Sequence, residues 1–326
     1  MKRQLILSAI VAAGLGAAGL GQVVREAPAS AQGASLPGIT EIEEVAENVY
    51  KIFGAGGNTV VFVQEDGVVL VDTKMPGNGE AILAEVRKVT DKPVTMIINT
   101  HSHPDHVGSN QFFKDAKPDI AVVAQAKTAA RMAQASGPFP ANPATQEFTD
   151  KLTLGSGKDQ IDLYYYGPGH TDGDAFVVFP AAKTVMMGDI MAWSMAPLID
   201  PGSGGSAVGL ADTMEKAVAG IQGVETVIEG HGYVTDWQRV RDFAAFNRAV
   251  VEESKKAVEA GKTPKDVVAA LVASGEHDVF LGTEVLKGLE YGGTPRSRAQ
   301  INAIVAMQEL RGEEPQLIMG LPPEEQ

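Results

Sequence analysis

The sequence predicts a mixed α/β fold in which two β-rich halves pack sheet against sheet, with helices outside. Three observations carry this reading. A β-hairpin pattern starting at Val49 runs into alternating helix and strand signals, and a second β-rich block starts at Lys151. The residues best suited to chemistry stand directly after strand-like runs in both halves. With 44% hydrophobic residues over 326 positions, the chain can fill a core of that size and is not a disordered one.

Residues 1–31 read as an export signal. Lys2 and Arg3 form a basic start, residues 5–20 are apolar and rich in small side chains, and Ala29-Ser30-Ala31 is a candidate cleavage site. The expected location is therefore periplasmic or secreted, with no stable membrane insertion if the signal is cut. An uncleaved membrane anchor is the alternative. The chain has no cysteine, which excludes a lipoprotein anchor, disulfides and thiolate ligands, so any metal must be held by nitrogen and oxygen. Loss of residues 1–31 removes Lys2, Arg3, Arg25 and Glu26, taking 27 basic and 41 acidic residues to 24 and 40. The net charge then moves from −14 to −16. A field of that sign repels nucleic acid and anionic membranes, so the expected partner is a small-molecule substrate.

Residues 32–40 are a Gly/Ser/Pro-containing linker. Strands are predicted at 49–53, 59–64 and 68–72, with Asp66-Gly67 as the hairpin signal between the last two. Residues 81–89 have helical spacing, and Pro93 stops that pattern before a strand at 94–99. A strand at 119–123 and a helix at 124–135 follow, then a proline-containing loop at 136–149. The second block has strands at 151–154, 161–166, 175–179 and 184–187. A Gly/Pro/Ser-containing loop at 192–206, a helix near 210–221 and a strand at 226–229 complete it. The main domain thus spans 41–236. From Trp237 the chain is helical, at 237–260, 264–273 and 296–310, with Thr263 as N-cap before Pro264. Residues 237–326 are expected as a helical extension packed on the domain.

The stretch Asn99-Thr100-His101-Ser102-His103-Pro104-Asp105-His106 follows the apolar run 94–98. Three imidazoles and a carboxylate within six residues suit a borderline metal such as zinc. His101 and His103, two apart, point the same way on an extended segment, while Pro104 bends the chain and aims Asp105 and His106 elsewhere. This reads as two half-sites, one for each of two metals. His170 in Gly-Pro-Gly-His-Thr, Asp189 in Gly-Asp-Ile and His231 in Gly-His-Gly each follow a predicted strand beside glycine. Of six histidines only His277 is left unplaced.

The order of these four motifs resembles the metallo-β-lactamase superfamily, over roughly residues 49–233. The resemblance implies an αββα four-layer sandwich with a dinuclear Zn2+ site along one edge, two ions per chain. It implies His101, His103 and His170 on one metal, Asp105, His106 and His231 on the other, and Asp189 at the position that bridges both in branches such as glyoxalase II. Asp105 would also act in catalysis by orienting a hydroxide shared between the metals. Asp72, ending the strand at 68–72, matches a position that hydrogen-bonds a ligand. Thr171 is expected to orient His170 or its loop. Trp193, Met195 and Phe139 are candidates for the substrate pocket; packing under the loop is the alternative for Trp193 and Met195. One phenol of residues 164–166 is a weaker candidate.

The chain also departs from the pattern. Zinc β-lactamases of the most similar type have cysteine where Asp189 stands, and their long flap is reduced here to residues 54–58. The basic glutathione-binding set of glyoxalase II and the extra motifs and basic surface of superfamily nucleases are missing. Flavodiiron-type reductases carry a carboxylate where His103 stands. The expected activity is hydrolysis of a carbonyl substrate, β-lactamase-like opening of a cyclic amide, with a lactone or thioester as alternative. An iron-dependent oxidoreductase of the same fold and a non-catalytic zinc-binding protein are further readings. Sequence does not decide the oligomeric state.

Overall fold

In the computed structural model, which describes residues 38–136, 142–281 and 297–315, the first half of the chain forms a seven-stranded sheet. β1 (Glu43–Ala46), β2 (Val49–Ile52), β3 (Thr59–Val63) and β4 (Val68–Val71) form an antiparallel meander. β5 (Val94–Asn99), β6 (Ala121–Gln125) and β7 (Gln146–Phe148) then add in parallel. Between them lie α1 (Gly79–Val86), α2 (Pro104–Val107), α3 (Asn110–Ala116) and α4 (Ala126–Gln134). The second half supplies β8 (Lys151–Leu154), β9 (Ile161–Tyr164), β10 (Phe176–Phe179), β11 (Thr184–Met186), β12 (Thr226–Ile228) and β13 (Val234–Asp236). Their order is β13-β12-β11-β10-β9-β8. Only β11 and β12 pair in parallel, and α5 (Ala207–Gly220) lies on the crossover between them. α6 (Trp237–Glu259), α7 (Pro264–Ser274) and α8 (Arg298–Leu310) follow.

Strand alternation turns these elements into four layers. Val60, Phe62, Val69, Val71, Ile98 and Val123 face Leu163, Val177, Phe179, Met186 and Ile228 of the other sheet. The Phe62 and Phe179 rings meet at 4.8 Å. The intervening residues Val61, Val68, Leu70, Ile97 and Val122 pack outward on Ile82, Val86, Phe113 and Met132 of the helices. Phe176, Val178, Val185 and Val227 pack likewise on Leu210, Met214, Val240, Phe243 and Ile304. Burial on both faces is why β4 reads as an unbroken Val-Val-Leu-Val. The architecture is an αββα sandwich, as predicted, and the C-terminal helices α6 and α8 contribute to its outer layer.

Several expectations need correction. The strand predicted at 119–123 lies at Ala121–Gln125, in register with β5. The next helix starts later than predicted because Gln125 caps it, its side chain accepting from Lys127 N at 2.6 Å. The last residues of the predicted 136–149 loop form β7, where only Phe148 is buried. β1, β13 and α3 were not predicted: the two strands are short, lie at sheet edges and show no apolar alternation in their three or four residues. Thr263 does cap α7, in a box with Asp266. The segment read as an export signal lies outside the described residues. No helix among the described residues is long and apolar enough to cross a membrane.

Candidate metal centre

The chain leaves β5 through a buried polar network that shapes the next seven residues. Thr100 donates through its amide and hydroxyl to the two carboxylate oxygens of Asp72, at 2.9 and 2.7 Å. Asn99 Nδ2 donates to His106 O at 3.1 Å, and Asn99 Oδ1 accepts from Asn110 at 2.8 Å. Thr73 N donates to His106 O at 2.7 Å. Pro104 starts α2 with His103 as its cap, and the single turn folds Asp105 and His106 back towards His101.

Three other loops meet this one. His170 follows β9, Asp189 follows β11 and His231 follows β12. Glycine makes the approach possible: a Cβ on Gly57 would collide with the His106 ring, and one on Gly230 with Asp189. Three overlapping ligand sets result, namely His101–His103–His170, His101–His106–Asp189 and Asp105–His106–His231, each with donor atoms within 4.8 Å of one another.

Four of the imidazoles have one ring nitrogen anchored and present the other. His106 Nδ1 meets Asp72 Oδ2 at 2.7 Å, His101 Nδ1 meets Thr100 Oγ1 at 3.0 Å, and His103 Nε2 meets Asp200 Oδ2 at 2.8 Å. His170 Nδ1 is tied to Leu198 O. The presented nitrogens converge: His170 Nε2 and His103 Nδ1 lie 2.9 Å apart, His106 Nε2 and His231 Nε2 3.3 Å. Asp105 Oδ2 lies 3.2 Å from His231 Nε2, and Asp189 Oδ2 3.3 Å from it. Zinc bonds of 2.0–2.1 Å at tetrahedral angles place ligand atoms about 3.3 Å apart, so the spacing fits such an ion. The buried Nε2 of His101 has no protein partner, as expected of an atom meant for a metal.

The electrostatics point the same way. Burial lowers His101 well below the ordinary histidine range and brings His170 down to about 4, keeping both neutral. Burial also opposes charge on His106 and His231. Asp189, with Asp105, nonetheless holds His106 well above its usual value and His231 at about 8. Burial disfavours the ionised carboxylates, yet His106 and His231 bring Asp105 to about 2 and hold Asp189 well below its usual range. Asp105 and Asp189 thus stay ionised at the centre, balanced by protons on His106 and His231 whose place a metal cation would take.

Residues 53–192 match the model of the metallo-beta-lactamase superfamily. The DIM-1 metallo-beta-lactamase superposes with a TM-score of 0.56 at 20% identity, covering 66% of this chain and 99% of that one. A metallo-beta-lactamase from Pontibacter korlensis gives 0.57 at 18%, covering 65% and 99%. The fold is that of the metallo-β-lactamase superfamily. In sequence, the chain is 30% identical over 162 residues to a metallo-beta-lactamase type 2 of Elizabethkingia meningoseptica, 46% of this chain and 62% of that relative. It is 26% identical over 151 residues to ribonuclease J of Mycobacterium tuberculosis, 44% of this chain and 27% of that one. The chain thus spans less than two thirds of either relative.

Within this superfamily fold, the Asp72 carboxylate contacts the His106 ring. Thr171 holds its loop, not the His170 ring, donating from N and Oγ1 to Asp174 at 2.8 and 2.5 Å. Trp193 stacks on His231, with ring centroids 4.4 Å apart. Met195 is half-buried in the same turn, and Phe139 lies outside the described residues. Tyr164 and Tyr166 pack against the outer core of the second sheet, and Tyr165 donates to Asp172 O at 2.9 Å. Two cavities are lined in part by residues next in sequence to the candidate ligands. One, about 400 Å³, is lined by Pro76, Ser102, Pro104, Val107 and Phe112. The other, about 470 Å³, is lined by Lys51, Phe53, Trp193 and Tyr233.

Sequence reading missed Asp200, which stands before a proline like any turn aspartate, and Lys74, for which no local signal exists. Lys74 is fully buried, and burial brings its amine down to about 7. Its Nζ donates to Ile52 O and Gly57 O, both at 2.8 Å, holding the 54–58 turn against the centre. Lys74→Met leaves two buried carbonyls without a donor. It should lower stability by about 2–4 kcal/mol in urea unfolding of metal-free protein. A loss under about 0.5 kcal/mol would contradict the assigned role.

Burial pushes the Asp174 carboxyl up to about 7 despite its bonds to Thr171. A carboxyl whose folded pKa is raised stabilises below its unfolded value, and that stability is lost as pH rises through the folded one. Between pH 4 and 7, metal-free Asp174→Asn should therefore gain stability relative to the parent. Parallel stability profiles for the two would contradict the shift.

Proposed function

We propose that this protein is an exported, zinc-dependent hydrolase that binds two Zn2+ per chain and opens a small carbonyl substrate, in the first instance a β-lactam. One observation carries the reading: four anchored imidazoles present their remaining nitrogens to two carboxylates and His231 at zinc-ligand spacing. In this reading His101, His103 and His170 hold one ion, and Asp105, His106 and His231 the other. When bound, the two ions would bring a shared water's pKa to about 7 and polarise the substrate carbonyl.

The side chains then have separate tasks. Asp72 and Thr100 fix the tautomers of His106 and His101, so that each offers a lone pair where the ion sits. Asp105, with 28% of its side chain exposed, accepts a hydrogen bond from the attacking water and sets its direction. The cavity beside Trp193, whose ring stacks on His231, is the candidate substrate pocket. Export, to the periplasm or beyond, rests on the basic and apolar start of the chain. The net charge of −14 opposes a nucleic-acid substrate.

The β-lactam assignment draws on the named β-lactamase relatives. Asp189 supports a second substrate class, lactones or thioesters. Its Oδ1 lies 3.3 Å from His106 Nε2 and its Oδ2 3.9 Å from His170 Nε2, so the carboxylate spans both ligand sets where a cysteine would reach one.

Hydrolysis of a chromogenic β-lactam by zinc-loaded protein, with chelator-treated and Asp189→Ala samples alongside, tests the proposal. The expected result is turnover lost in both controls and reduced at least about 100-fold in His101→Ala and His170→Ala. Wild-type-like activity in either histidine variant would overturn the ligand assignment. No lactam turnover by protein holding two zinc ions would move the substrate to lactones and thioesters.

A further inference from the structure

The matched family model ends at residue 192, and the next two residues adopt a strained backbone. Trp193 and Ser194 have φ of +55° and +48°, in the left-handed region that side chains rarely enter. Two successive non-glycine residues stay there only where the surroundings hold them. Glu229, fully buried after β12, supplies that hold: its carboxylate accepts from Ser194 N at 2.7 Å and from Ser194 Oγ. Trp193 N donates to His231 O at 3.0 Å.

What the turn achieves is the placement of one ring on another. The Trp193 indole lies on the His231 imidazole, centroids 4.4 Å apart and planes 21° from parallel. Gly232, at φ +82°, leaves room for it, since a Cβ there would sit 2.9 Å from Trp193 Cδ1. The guanidinium of Arg298, in the first turn of α8, lies over the same indole, 4.9 Å from its centroid. A series of contacts therefore runs from the C-terminal helix to an imidazole of the centre.

His231 needs such support. His101, His103, His106 and His170 are each anchored by a hydrogen bond at the nitrogen that does not face the centre. The contacts of His231 run through Nε2, and among the described residues no hydrogen bond reaches its Nδ1. We propose that Trp193, backed by Arg298, is a positioning residue that replaces this missing anchor. It fixes the ring plane of His231 and so sets metal affinity at the Asp105–His106–His231 position. α8 thereby becomes part of the metal centre. The inference rests on the proposal that His231 is a metal ligand.

Stepwise Co2+ titration of the full chain, followed by absorption and by competition with a chromophoric chelator, tests it. Trp193→Ala should weaken one of the two equivalents about tenfold or more while leaving the other within about twofold. Trp193→Phe should recover most of the loss, and Arg298→Met, which leaves the indole in place, should weaken the same equivalent by a smaller factor. The unaffected equivalent reports that the variant is folded; should Trp193→Ala fail to fold, Arg298→Met decides. Both equivalents within about twofold of the parent in Trp193→Ala, or in Arg298→Met where that variant decides, would overturn the inference. A parent protein that binds no second ion would overturn the ligand assignment, and the inference with it.

Discussion

The structure depends on how imidazoles are held. A histidine ring can turn about two bonds, and five of them converge here around Asp105 and Asp189, with His106 and His231 the nearest to the carboxylates. Such an arrangement is stable only if each ring has a second point of attachment and if positive charge balances the carboxylates. The attachments are Asp72, Thr100, Asp200, the Leu198 carbonyl and the Trp193 indole. All lie on loops at strand or helix ends, so the two sheets set the spacing between them. Rings held in this way keep their free nitrogens in place for an ion before one arrives.

The anchors differ in origin, and this couples the two halves of the fold. Asp72 and Thr100 belong to the first sheet and fix the hexapeptide locally. Asp200 and Leu198 come from the loop ahead of α5 and fix His103 and His170. The 54–58 turn closes the arrangement: Gly57 N donates to Asp105 O at 3.0 Å and Asn58 N to Gly230 O at 2.7 Å. Lys74 holds that turn from below. Movement of either sheet relative to the other would open the centre, and the inter-sheet core, with Phe62 against Phe179, resists it.

The candidate ligands were legible in sequence because histidine is rare in this chain and these residues sit in a repeated context beside glycine at strand ends. Strands buried on one or both faces were legible from their apolar runs, and α6 and α7 from periodicity and capping. Edge strands β1, β7 and β13 were not, since each is only three or four residues long and carries no apolar alternation to read. The same limit applies to the supporting residues. Asp72 was legible only by resemblance. Lys74, Asp200 and Glu229 act through partners 17 or more residues away, as in Lys74 to Gly57, His103 to Asp200 and Ser194 to Glu229. Trp193 was read as a pocket wall or as packing under its loop; it does line a cavity, but nothing in the sequence points to the His231 ring it covers.

Anomalous diffraction at the zinc edge, from crystals of zinc-loaded protein, tests the central claim most directly. The account predicts one peak among His101, His103 and His170 and a second among Asp105, His106 and His231, with Asp189 between them. Absence of both peaks, or zinc held at other residues, would contradict it.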